Sequence, residues 1–269
     1  MSPEIDARIL SAALDLIGRR LTDQEGLIVV GLTGSQGSGK STLANALRAH
    51  LLGEGIRAEA VSLDDFYLSP DERAALATTV HPLLRTRGVP GTHDMAMAEQ
   101  VLGQLRAGKA AVLPRFDKAY DAPFDRTMWR PVEPGLRVLI FEGWCVSARP
   151  QPEGMLGQPV NALEASEDVD GAWRRFVNAQ LAGPYAALFD QLDCVIFLAA
   201  PDFSVVQAWR LQQEQTIAGH GSQVMDSTQI ARFIQHYERI TQWMLEDLPG
   251  RADLVIRLGP ERQPSAIEP

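Results

Sequence analysis

Gly34-Ser35-Gln36-Gly37-Ser38-Gly39-Lys40-Ser41 fits the phosphate-binding pattern G-x-x-x-x-G-K-[ST], and the rest of the chain is read outward from it. Leu27-Ile28-Val29-Val30-Gly31-Leu32-Thr33, just before it, is apolar and β-branched and predicts a buried strand, while Ser41 to Leu51 has helical periodicity. Strand, glycine loop and helix is the order that phosphate binding needs. Glycines let the backbone curl so that successive N–H groups face phosphate oxygens, and the helix adds its positive N-terminal end. The expected nucleotide contacts are therefore Gly34, Ser35, Gln36, Gly37, Ser38, Gly39, Lys40, Ser41 and Thr42. Lys40 is expected to reach the β- and γ-phosphates of ATP, and the Ser41 hydroxyl to ligate Mg²⁺. A plain turn between a strand and a helix needs no Lys-Ser after its last glycine.

The composition agrees with an α/β protein. Of 269 residues 45% are hydrophobic and 22% charged, which suits one sizeable domain with appendages. The net charge of -9 argues against DNA or RNA as a partner, because phosphate-backbone binding needs a basic surface. No run of eighteen apolar residues predicts a membrane span, and Met1 to Asp6 lacks a basic-then-apolar leader, so the cytoplasm is the expected compartment. Cys145 and Cys194 each lie in or beside an apolar run and are expected to be buried thiols.

Along the chain, strands are predicted at 58–63, 110–113, 137–141, 194–199 and 253–258, and helices at 4–20, 95–106, 172–190, 203–218 and 228–248. Alternation of the two implies a P-loop three-layer α/β/α sandwich with a mostly parallel sheet and a helical lid. Residues 1–269 are read as a single kinase domain, with 1–24 an appended N-terminal helix, 147–171 an exposed insertion and 260–269 a frayed tail. The stretch 68–93 is rich in turn residues and cations, and Gly219-His220-Gly221 reads as a break. Strand 58–63 ends in Asp64-Asp65-Phe66-Tyr67, and strand 137–141 in Glu142-Gly143-Trp144. Carboxylates at the C-terminal ends of such strands lie where open α/β sheets bind ligands, and Glu142 suits the Mg²⁺ side of a P-loop site.

The P-loop, Ser62-Leu63-Asp64-Asp65-Phe66-Tyr67-Leu68, Arg87-Gly88-Val89-Pro90-Gly91-Thr92-His93-Asp94, Pro114-Arg115-Phe116-Asp117-Lys118 and Phe141-Glu142-Gly143-Trp144 together resemble the plant-type D-glycerate 3-kinases and their fungal and bacterial relatives. These belong with phosphoribulokinase, uridine kinase and pantothenate kinase. The resemblance implies a general base at Asp64, with Asp65 as rival, and a lid arginine at Arg210. A carboxylate that accepts the acceptor's hydroxyl proton fits phosphoryl transfer in any case. Arg85, Arg87, His93, Arg115, Lys118 and Arg126 form the pool that could bind an acidic small-molecule substrate, and Tyr67 is placed at its wall. The expected reaction is ATP-dependent phosphorylation of D-glycerate to 3-phosphoglycerate. A nucleoside or a pantothenate-like compound is the alternative acceptor, and a nucleotide-dependent switch or assembly ATPase the alternative class. Asp64 and the long loop after it offer an acceptor site that a switch does not require.

Overall fold

The computed structural model describes residues 5–218 and 226–269. In chain order its elements are α1 (Ala7–Asp23), β1 (Ile28–Gly34), α2 (Lys40–Gly53), β2 (Ala58–Ser62), α3 (Pro70–Thr79), α4 (Met95–Arg106), β3 (Ala111–Leu113), β4 (Phe116–Asp117), β5 (Ala122–Pro123), β6 (Arg130–Val132), β7 (Val138–Gly143), α5 (Ala162–Glu167), α6 (Ala172–Gln180), α7 (Ala186–Phe189), β8 (Cys194–Ala199), α8 (Ser204–Ala218), α9 (Ser227–Asp247), β9 (Leu254–Leu258) and β10 (Pro264–Glu268).

The central sheet runs β10-β9-β8-β1-β7-β2, with β10 antiparallel to β9 and the other neighbours parallel. β1, β7 and β8 are buried along their whole length, as apolar runs covered on both faces must be. One face packs Ile9, Ala13 and Ile17 of α1, Leu43 and Leu47 of α2 and Trp209 of α8. The other packs Val101 and Leu102 of α4, Val177 of α6, Leu188 of α7 and Tyr237 and Ile240 of α9. The fold is thus the expected α/β/α sandwich. Because the P-loop strand lies between β7 and β8, the ends of β1, β2 and β7 converge on one edge of the molecule.

Helix 95–106 and strand 194–199 match the sequence reading residue for residue, and both cysteines are free and buried. Elsewhere the structure corrects it. The turn-rich stretch 68–93 contains α3, which a Ser69 and Glu72 capping box and Pro70 start. The predicted strand 110–113 is there, but it pairs with β6 outside the main sheet. The predicted helix 172–190 is split by a π-turn over Leu181–Tyr185, where Gly183 leaves helical geometry and Pro184 follows. The tail 260–269 is not frayed: β10 extends the sheet and Glu268 pairs with Arg257 at 2.8 Å. The predicted break at Gly219-His220-Gly221 lies outside the described residues.

The largest correction concerns 147–171, which is anchored rather than an exposed insertion. Leu156, Leu163, Glu164 and Asp168 are buried. Glu164 pairs with Arg239 of α9 at 2.6 Å, and Asp168 with Arg174 at 2.8 Å. Arg239 also donates to the carbonyls of Met155 and Gln158, so a segment poor in apolar residues is held by charge. Removing one member of such a pair strands its partner in the interior. Glu164→Ala is therefore expected to destabilise the fold by about 3 kcal/mol or more, read from the shift of the denaturant midpoint; a shift within experimental error would contradict this anchoring role.

Candidate active site

α2 begins where the P-loop ends, and its N-cap is Gly39 at φ +94°, with no side chain capping the first N–H groups. A residue with a Cβ is strained in that conformation, and the uncapped N–H groups are left for an anion. Close approach fixes Gly37 as well, since a Cβ there would stand 2.7 Å from the Cβ of Trp209 on α8. Ser35 Oγ, Ser38 Oγ and both polar atoms of the Gln36 amide are buried without a hydrogen-bond partner among the described residues. Buried polar groups are nearly always paired in folded proteins, so this concentration in one loop is the expected signature of a phosphate-binding cradle.

The register β1 to β7 sets Leu32 beside Glu142, and β2 to β7 sets Ser62 beside it on the other side. Glu142 therefore stands at the sheet edge next to the P-loop, where its Oε1 accepts from Ser41 Oγ at 2.7 Å. It is only 6% exposed, and its Oε2 has no partner among the described residues. A hydroxyl and a half-satisfied carboxylate beside a phosphate cradle fit a hard divalent cation, whose other ligands would be phosphate and water oxygens. Beyond the P-loop a cavity of about 590 Å³ is lined by residues including Ser38, Gly39, Thr42, Leu198, Arg262 and Gln263, within the size range of small-molecule sites.

At the end of β2 the two aspartates separate. Asp65 accepts from the Ser62 and Phe116 backbone N–H groups at 3.3 Å each, so it ties the turn Leu63–Phe66 to β4. Burial raises its carboxyl above the ordinary value. Asp64 faces the site. Its Oδ1 accepts from Tyr67 OH at 2.7 Å and its Oδ2 from Lys118 Nζ at 2.5 Å. Burial works to raise this carboxyl too, but the Lys118 and Lys40 charges and the Tyr67 hydroxyl outweigh it and hold Asp64 well below the usual carboxylate range.

The remaining expected substrate residues divide. Lys118 and Tyr67 meet at Asp64. His93 is buried, stacked on Tyr67 at 4.6 Å, with Nδ1 2.5 Å from Tyr185 OH. Burial pushes its imidazole down to about 4, so it is neutral near pH 7. Arg87 is engaged elsewhere: it shares Asp121 with Arg73 and lies over Phe116 at 5.6 Å. Arg115 lies over Phe124 at 4.7 Å and Arg126 over Trp129 at 5.2 Å. Arg85 is exposed, and it is its carbonyl that accepts from Arg73. Arg210 on α8 lies 5.4 Å over Phe233 of α9.

Sequence reasoning missed three residues here. Asp121 fixes the β4–β5 hairpin through Arg73 and Arg87, Tyr185 accepts from Gly91 N, and Arg262 reaches from the β9–β10 turn to the Gly37 carbonyl while lying over Trp209 at 5.0 Å. Each acts across a large sequence separation with no local motif to mark it.

No family model matches the chain. Over 218 residues, 78% of this chain and 78% of its counterpart, it is 33% identical to an uncharacterized kinase of Schizosaccharomyces pombe. It is 30% identical over 220 residues to the chloroplastic D-glycerate 3-kinase of Arabidopsis thaliana, which is 78% of this chain and 46% of that longer protein. The solved D-glycerate 3-kinase of Cryptococcus neoformans matches the fold with a TM-score of 0.80 across 98% of this chain and 99% of that one, at 27% identity. The chain belongs to the family of the plant-type D-glycerate 3-kinases and their fungal and bacterial relatives. It is a P-loop kinase, an ATP-dependent phosphotransferase with an alcohol group as acceptor, and among the described residues no helix is long and apolar enough to cross a membrane.

The buried histidines of this kinase carry a pH signature. His93 and His236 both have folded values near 4 against an ordinary 6.5. Between those values the unfolded chain takes up protons that the folded chain refuses, so the histidine contribution to stability is full above about 6.5 and lost as the pH falls toward about 4. The unfolding midpoint is expected to drop across that window, with a shallower slope in His236→Gln; equal slopes in the two proteins would contradict burial of a neutral His236.

Proposed function

We propose that this kinase transfers the γ-phosphoryl group of ATP, with Mg²⁺, to a hydroxyl of a small hydroxy acid, D-glycerate giving 3-phosphoglycerate. The observation that carries the reading is the position of Asp64 at the end of β2, ion-paired with Lys118 and held charged by it and by the P-loop lysine Lys40. A general base has to touch both the phosphoryl donor's site and the acceptor's, and a cation beside it gives an acidic acceptor a counter-charge.

The roles follow from that placement. The P-loop N–H groups and Lys40 hold the β- and γ-phosphates, and the purine nucleoside is assigned to the cavity beside Thr42, Arg262 and Gln263. Ser41 and Glu142 would hold Mg²⁺, which supplies neutralisation of charge on the phosphates. Asp64 accepts the hydroxyl proton as the acceptor oxygen attacks in line. Arg210, carried on α8 against the P-loop glycine Gly37, adds positive charge to the transferring group. Tyr67 orients Asp64 and walls the acceptor site with His93. Asp65 keeps the turn in shape. The sequence relatives named as D-glycerate 3-kinases support this acceptor over a nucleoside, and so does the cation beside Asp64.

The test is ADP release from ATP and Mg²⁺ against D-glycerate, L-glycerate, pantothenate, uridine and ribulose 5-phosphate. D-Glycerate is expected to stimulate strongly and the others weakly. Asp64→Asn is expected to lower kcat by about a thousandfold and leave the Kd for ATP nearly unchanged. Stimulation by uridine or pantothenate in preference to D-glycerate would overturn the acceptor, and loss of ATP binding in Asp64→Asn would move Asp64 to the nucleotide site.

A further inference from the structure

Both oxygens of Asp64 already have partners, Lys118 Nζ at 2.5 Å and Tyr67 OH at 2.7 Å. Each oxygen keeps a second lone pair, but an ammonium on Oδ2 crowds that oxygen and lowers its basicity, so release of one partner makes Asp64 the better acceptor of a substrate proton. Tyr67 is poorly placed to leave. Its ring is buried, stacked on His93 and edge-on to Phe116 at 5.2 Å, and its backbone bridges to His93. Lys118 is different, because its side chain is 59% exposed while its backbone is fixed without help from the ammonium. Asp117 Oδ1 accepts from the Ala119 and Tyr120 N–H groups, Arg87 donates to the Lys118 carbonyl at 3.1 Å, and Asp121 joins the hairpin to Arg73 and Arg87. A flexible four-carbon stem on a rigid anchor can change partner without unfolding the loop.

We infer that Lys118 is an exchangeable partner of the base: the acceptor's own carboxylate takes the Lys118 ammonium and thereby frees Asp64 Oδ2 for the acceptor's hydroxyl proton. This rests on the acid-acceptor reading above. The step balances simply. The acceptor's O–H proton passes to Asp64 Oδ2, the acceptor oxygen forms a bond to the γ-phosphorus, and the bond from that phosphorus to the β–γ bridging oxygen breaks, leaving ADP. Before exchange, the ammonium both occupies the proton-accepting oxygen and lowers its basicity. Water brings no carboxylate, so the closed pair suppresses ATP hydrolysis, and an uncharged alcohol is discriminated against by the same device. Among the described residues, the groups whose charge bears on the pair are Lys40 from the P-loop, Tyr67 and Asp65 from the turn after β2, His93 before α4, Glu142 from β7, Cys145 just past it and Tyr237 from α9. None of these is a second exposed cation on the Asp64 carboxylate.

The experiment measures ATP hydrolysis without any phosphorylatable acceptor, in the wild-type protein, Lys118→Met and Lys118→Arg, with and without propionate, a carboxylate that has no hydroxyl. Propionate is expected to raise wild-type hydrolysis by about tenfold, water standing where the missing hydroxyl would be. Lys118→Met is expected to hydrolyse at the raised rate unaided and to ignore propionate, while Lys118→Arg, which keeps the charge, restores at least part of the response to propionate. Wild-type indifference to propionate, or a Lys118→Met rate at or below wild type, would overturn the exchange. The acid-acceptor reading fails separately, in the acceptor panel, if an uncharged compound is the one phosphorylated.

Discussion

Burial opposes the charge of the Asp64 carboxylate, and the Lys118 ammonium at 2.5 Å, the Lys40 charge and the Tyr67 hydroxyl at 2.7 Å overcome it. The rest of the site depends on that balance. A protonated acid could not accept a proton, and when Lys118 is drawn away the Lys40 charge and the Tyr67 hydroxyl are what still oppose burial at Asp64. The fold supplies the three partners from three places: Lys40 from the P-loop after β1, Tyr67 from the turn after β2, and Lys118 from the hairpin β4–β5. The parallel order of β1, β7 and β2 brings the first two to one edge, and the Asp65 bond to Phe116 N brings the third.

A second set of constraints fixes the loop 87–94, whose His93 stacks on Tyr67 beside Asp64. Trp144, just past β7, donates from Nε1 to the Gly88 carbonyl at 2.8 Å, Tyr237 of α9 donates to the Arg87 carbonyl at 2.9 Å, and Tyr185 accepts from Gly91 N at 3.0 Å. These rings belong to the hydrophobic layer, so their polar ends carry the rigidity of the core into the site. The π-turn after α6 has a visible use here, since it holds Tyr185 under His93. α9 is fastened in turn by the Glu164–Arg239 pair, which joins the acid-rich segment 147–171 to the same layer.

What could be read from the sequence was what is local. The P-loop, the acid pair after β2 and Glu142 near the end of β7 each sit beside an apolar run whose end marks the sheet edge, and Asp94 announces α4 as its N-cap. The cations could be gathered into a pool but not sorted, because sorting depends on partners far along the chain. Asp121 removes Arg87 from that pool, and nothing near Arg87 in sequence says so. The segment 147–171 was misread for the same reason: its acids look like solvated charge until Arg239 and Arg174 are placed against them. The tail was misread because the strand it adds has little apolar alternation of its own and relies on β9. Arg262, which reaches back to the Gly37 carbonyl, belonged to that discarded tail.

The most direct test of this account is the ionisation of Asp64 itself. In protein labelled with ¹³C at the aspartate carboxyl carbon, assigned by comparison with Asp64→Asn, the Asp64 signal should show an ionised carboxylate at every pH above the ordinary aspartate value of 3.8. A midpoint near neutrality would mean that Lys118, Lys40 and Tyr67 do not overcome burial, and that Asp64 is not the base around which this site is built.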